Sequence, residues 1–78
     1  MPLFHFNSCS GDVILPDLEG EELPSVAQAR EVAFASARET LIEAVKSRDN
    51  PPDRIQVTDS DGREVVTVFL AEFLRNTQ

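Results

Sequence analysis

The stretch SVAQAREVAFASARETLIEAVKSR, residues 25–48, decides how this chain folds. Ser25 is a good N-cap, and Gln28 three positions later completes a capping box. Placed at 100° intervals, Val26, Ala29, Ala33, Phe34, Ala37, Leu41, Ala44 and Val45 share one broad arc. Gln28, Glu31, Glu39, Glu43 and Lys46 fall opposite. Such a pattern predicts an amphipathic helix over 26–48 that lies on another layer. The small Ala29, Ala33 and Ala37 let it approach a sheet closely. Lys46 and Arg48 suit the negative end of the helix dipole, and Asp49-Asn50-Pro51-Pro52 stops the helix.

On either side the period changes from 3.6 to 2. Leu3-Phe4-His5-Phe6-Asn7 alternates as a half-buried strand. Ser8-Cys9-Ser10-Gly11 reads as a turn, and Asp12-Val13-Ile14-Leu15 as a short second strand ended by Pro16. Asp17–Pro24 is a polar connection with a turn at Gly20. Beyond the helix, Arg54–Thr58 alternates with Ile55 and Val57 inward, Asp59–Arg63 supplies turn residues, and Glu64–Leu70 is apolar on both faces. Ala71–Arg75 has the spacing for one helical turn, with Leu70 and Leu74, or Phe69 and Phe73, four apart. The expected fold is two-layer α+β, β-β-α-β-β: a four-stranded, mainly antiparallel sheet with one long helix on one face. The final strand is expected to be central, because a doubly apolar strand is a hazard at an edge. The face opposite the helix is then expected to show some of Leu3, Val65, Thr67 and Phe69, an apolar patch suited to a two-fold homodimer.

The 78 residues make one domain, which buries only about 60% of its unfolded surface. Fourteen acidic side chains oppose seven basic ones, for a net charge of −7. Residues 1–24 hold five acids and no base (net −5), residues 25–48 net +1, and residues 49–78 net −3. No cluster of Lys and Arg exists to displace counterions, so neither nucleic acid nor an anionic membrane is an expected partner. A single cysteine provides no disulfide framework. The longest apolar run, Val65–Ala71 broken by Thr67, is far short of the roughly 20 residues of a membrane span. Met1-Pro2-Leu3-Phe4-His5 has no positive region of the signal-peptide kind. A cytoplasmic location is expected.

Several segments together resemble a known family. The opening Met1-Pro2-Leu3-Phe4-His5-Phe6 is similar to an M-P-x-[FY]-x-F start. Asp17-Leu18-Glu19-Gly20-Glu21-Glu22-Leu23 resembles a D-x-E-G-x-E-L connection, and Ala29-Arg30-Glu31-Val32-Ala33 an A-R-x-x-A helix. Ile55–Arg63 resembles an [IV]-x-V-x-D-x-x-G-R hairpin. These belong to a family of small uncharacterised bacterial proteins frequent in rhizobia and related alphaproteobacteria, a domain of unknown function. The resemblance implies no activity, substrate or catalytic residue. The tail Phe69-Leu70-Ala71-Glu72-Phe73 departs from the family's polar ending.

Three constellations carry chemistry. His5 and Cys9 pair a base with a nucleophile in type, but no orienting group or oxyanion site accompanies them; the plainer reading is a strand histidine and a turn cysteine. Asp12, Asp17, Glu19, Glu21 and Glu22, or the Asp59-Ser60-Asp61-Gly62 turn, offer oxygen ligands to a hard cation. With Gly62 at the sixth loop position, however, Val57 and Val68 occupy the first and twelfth, so an EF-hand fails. Arg30, within the apolar arc, is expected to snorkel along the sheet edge or to pair with an acid such as Glu22 or Asp17, a structural clamp being favoured over an anion-binding role. No catalytic, cofactor-binding or metal-ligating residue is assigned. The expected function is a non-enzymatic interaction or accessory module, with an unidentified protein partner, acting through its sheet face or acidic loop. The alternatives are a small metal-binding or thiol-dependent enzyme using His5, Cys9 and the acidic loop, and an antitoxin-like regulatory partner, the last by analogy alone.

Overall fold

The computed structural model describes residues 2–75. The chain runs β1 (Leu3–Ser10), β2 (Val13–Leu15), β3 (Glu21–Glu22), α1 (Val26–Ser47), β4 (Arg54–Thr58), β5 (Glu64–Phe69) and α2 (Ala71–Arg75). This is the expected α+β class, with a fifth, two-residue strand added. The open sheet has the order β2-β1-β4-β5, β3 pairs with the same side of β1 as β2, and every ladder is antiparallel.

α1 begins where the capping residues place it: the Gln28 N–H donates to the Ser25 hydroxyl at 3.1 Å. It ends on Arg48, held in the left-handed region at φ 59°, a conformation that glycine adopts at lower cost. The helix lies across β4 and β5. Ala29, Ala33 and Ala37 are fully buried against Ile55, Val57 and Val68, with Phe4, Leu23 and Leu70 completing the core. Phe73 of α2 meets Phe34 of α1 edge to face, at 5.9 Å between ring centroids. The alternative Leu70–Leu74 contact lies outside the described side chains.

Two expectations are corrected. Ser8-Cys9-Ser10 is strand, not turn: Ser10 pairs with Val13 across a two-residue loop of Gly11 and Asp12. Of these two loop residues Gly11 has a positive φ, 57°, and Asp12 does not, as a type II′ turn requires. Small polar residues tolerate turns but do not impose them, and here β4 pairs along Cys9 and holds it extended. β5 is an edge strand and not a central one. Its apolar helix-side residues are covered by α1 instead of by flanking strands, and Val65 forms a bulge where pairing shifts from Val57↔Val66 to Thr58↔Glu64. Bulges twist an edge and interrupt its regular ladder.

The face away from α1 is also unlike the expected apolar patch. Gln56 donates to Glu64 at 3.0 Å, Thr67 donates to the other Glu64 oxygen, and Asn7 donates to Thr58 at 3.3 Å. The Thr67 hydroxyl, and then the Gln56 amide, hold the Glu64 carboxyl below its usual range. Of the residues expected on this face, Val65 packs against the helix-side core instead, whereas Leu3, Thr67 and Phe69 alternate onto it, with Phe69 about half exposed.

Candidate functional site

His5 and Cys9 share a side of β1, but four residues of strand separate them by about 13 Å. In this geometry they form no nucleophile–base pair. The Nδ1–H of His5 instead donates to the Asp17 carbonyl at 2.7 Å. Cys9 is fully buried, between Ile14 on β2 and Arg54 on β4.

The acidic connection is organised by Asp17. Between β2 and β3 the outer side of β1 has no strand beside it, and the Phe6 N–H points into that gap. The Asp17 carboxylate fills it, accepting from Phe6 N–H at 3.1 Å and from Gly20 N–H at 3.3 Å. The Asp17 N–H donates to the buried Asn7 side chain at 2.9 Å. Donation by Phe6 holds the Asp17 carboxyl below its ordinary value. Asp17 thus acts as a one-residue substitute for strand pairing. Asp12, Glu19, Glu21 and Glu22 point to solvent, with Glu21 and Glu22 in β3. Asp59 accepts the N–H groups of Asp61 and Arg63, both at 2.9 Å, and so shapes its own turn. No group of three or more His, Cys, Asp or Glu side chains converges among the described residues. Arg30 does not pair with Glu22 or Asp17: its guanidinium lies 5.5 Å from the centre of the Phe34 ring. The i, i+4 spacing of an arginine and an aromatic was the signal for that contact. Among the described residues the only ion pair is Arg54–Asp53, at 2.8 Å.

What the sequence reading missed is the state of the two sheet edges. At one, β2 has β1 on one side and no strand on the other. Val13, Ile14 and Leu15 are 61%, 50% and 66% exposed, and nearby Leu18 is 85% exposed. Because Ser10 and Val13 flank a two-residue loop, they form a hydrogen-bonded pair, and Cys9–Ile14 is the next, non-bonded pair. The Ile14 N–H and C=O therefore point outward. An uninterrupted apolar triplet between Asp12 and Pro16 was the available signal.

At the other edge, the Phe69 N–H is taken by the Glu72 carboxylate at 3.4 Å, so Phe69 turns its N–H away from β4. Two residues earlier, by the antiparallel alternation, the Thr67 N–H and C=O also face outward. Beside them a groove of about 790 Å³ lies between β5 and α1, lined by Val26, Arg30, Glu31, Phe34, Val65 and Glu72.

No described helix is long and apolar enough to cross a membrane. Comparison with curated proteins and with solved structures gives no match to the chain. A family model does match: residues 3–71, from the start of β1 to the start of α2, fit the domain of unknown function DUF6894, and the chain belongs to that family.

Proposed function

We propose that the domain is a non-enzymatic interaction module that takes up an extended segment of another protein, alternating apolar and basic residues, as an added strand on β2. The observation that carries this reading is the exposed Val13-Ile14-Leu15 triplet on an open edge, within a 24-residue stretch that holds five acids and no base. Natural edges are normally blunted by charge, proline or a covering element. β2 is short and has Asp12 and Pro16 at its ends, but its three side chains are aliphatic and exposed, which favours strand addition, in which main-chain bonds supply affinity and side chains supply selection. The outward Ile14 N–H and C=O bond the incoming strand. Val13 and Leu15 offer apolar contact on the helix side, and Ile14 does so on the other. Asp12 at one end and Glu19 beyond the other attract Lys or Arg and disfavour acidic segments. So short an edge gives a weak, transient complex, with a Kd on the order of micromolar and strong salt dependence.

The test is fluorescence anisotropy with a labelled peptide of alternating lysine and valine and a glutamate–valine control. The lysine peptide binds, the control does not, and affinity falls as salt rises. Ile14→Pro, which removes only an outward N–H, and Val13→Asp both abolish binding without unfolding the domain. Absence of binding by the lysine peptide at about 1 mM, or binding indifferent to both variants, overturns the reading.

A further inference from the structure

The second edge has a different occupant. We propose that β5 and the groove beside it form a two-fold interface with another copy of this chain, joining two sheets edge to edge and packing the two α1 helices against each other.

Geometry supports this first. Thr67 presents both its N–H and C=O outward, so a two-fold axis through Thr67 lets it exchange two hydrogen bonds with the partner's Thr67. Val66 then stands opposite the partner's Val68, on the helix side in both copies. Strands lie about 4.8 Å apart. α1 rides over the β4–β5 pair, which puts its axis about 4.8 Å from the boundary between the two β5 strands. Two helices related by an axis normal to the sheet run antiparallel, about 9.6 Å apart, within the 8–10 Å of packed helices. The open groove is the space that a second helix flank fills.

Charge supports it next. The flank of α1 that lines the groove carries Ala27, Arg30, Glu31 and Phe34. In an antiparallel pair centred between positions 30 and 31, Arg30 meets the partner's Glu31, Glu31 meets the partner's Arg30, and the small Ala27 faces the partner's Phe34. The interface is self-complementary, as a two-fold contact must be. The five acids of residues 1–24 lie with β1, β2 and β3, at the far end of the sheet. Meeting through β5 keeps those five acids apart, with Glu64 and Glu72 the acids at that edge, whereas pairing through β2 would bring Asp12 and Asp17 of both copies together and leave the helices apart.

Sedimentation equilibrium of the full chain, from about 5 to 100 μM, tests the proposal. The wild type is expected to be a dimer in that range. Arg30→Glu opposes two carboxylates at each contact and weakens the dimer at least tenfold; adding Glu31→Arg in the same chain reverses both signs and restores it. Thr67→Pro removes an N–H that no internal bond uses, and should give a monomer with an unchanged circular dichroism spectrum. Should that variant unfold, the two charge variants decide, since both positions are exposed on the helix. A wild type that stays monomeric at 100 μM, a dimer indifferent to Arg30→Glu, or a double variant no better than the single one overturns the proposal. None of these readouts depends on peptide binding at β2.

Discussion

Replacing Asp17 by Asn keeps the size of the side chain and removes its charge and one acceptor. The two carboxylate oxygens of Asp17 serve different donors, Phe6 N–H at 3.1 Å and Gly20 N–H at 3.3 Å. An amide offers one oxygen, so its NH2 must face one of those N–H groups. Hydrogen bonds to a charged group contribute about 1.5–3 kcal/mol each, and less where water competes. Asp17 is only half-buried, so the lower end applies: one bond lost and the other weakened, about 2 kcal/mol in all. For a domain of this size that corresponds to a fall in Tm of roughly 8–16 °C. Urea denaturation followed by circular dichroism at pH 7 measures it. The pH dependence is a sharper check. The folded state holds the Asp17 proton less tightly than the unfolded chain, whose carboxyl titrates near 3.8. The charge therefore stabilises fully above that value, and its contribution is lost as pH falls through the lower folded value. The gap between wild type and Asp17→Asn should narrow as the pH is lowered below about 4. A gap under about 0.5 kcal/mol at pH 7, or one of equal size at acid pH, refutes the view that the carboxylate stands in for a strand.

Cys9→Ser puts a hydroxyl into a fully buried position and should cost about 1–3 kcal/mol in urea denaturation; on the reading of Cys9 as a turn residue it would cost almost nothing. Ala33→Leu forces extra volume between α1 and the sheet, where Ala33 has no exposure, and should cost about 1–3 kcal/mol by the same measurement. Arg48→Gly relieves the φ of 59° at the end of α1 and should raise stability by about 0.5–1 kcal/mol, seen as a higher Tm.

The helix was the most legible part of the chain, because a cap, a period and a stop all agree over residues 25–52. Its small alanines correctly marked the layer contact. Two other apolar positions did not: Val45, at the margin of the arc, is 72% exposed, and Val26, in the first turn of the helix, is 47% exposed, since a single helix on a narrow sheet buries neither the edge of a broad arc nor its own first turn. β3 was illegible, because Glu21 and Glu22 carry no strand signal and are held by backbone pairing with Leu3 and Phe4. The position of β5 was misjudged because hydrophobicity on both faces reports burial without saying what buries it. The Asp17 clasp could not be read from composition, since it depends on a gap between two short strands that only the register reveals. Of the candidate site residues, His5 and Cys9 drew attention as the only ones of their kind, whereas the edge residues Ile14 and Thr67 matter through their backbone groups, which no side-chain pattern displays.

The central ladder joins β1 to β4, pairing His5 with Thr58 and Cys9 with Arg54. Residues 3–10 therefore wait on partners some fifty positions later in the chain. During synthesis the first hairpin must exist for a time as a lone two-stranded ribbon, a form that is marginal in water, with its aliphatic triplet already on display. Closing that long loop carries an entropic cost that must be met before the central ladder forms. The interval before residues 54–58 emerge is the period in which a chaperone holding extended chains has most to protect.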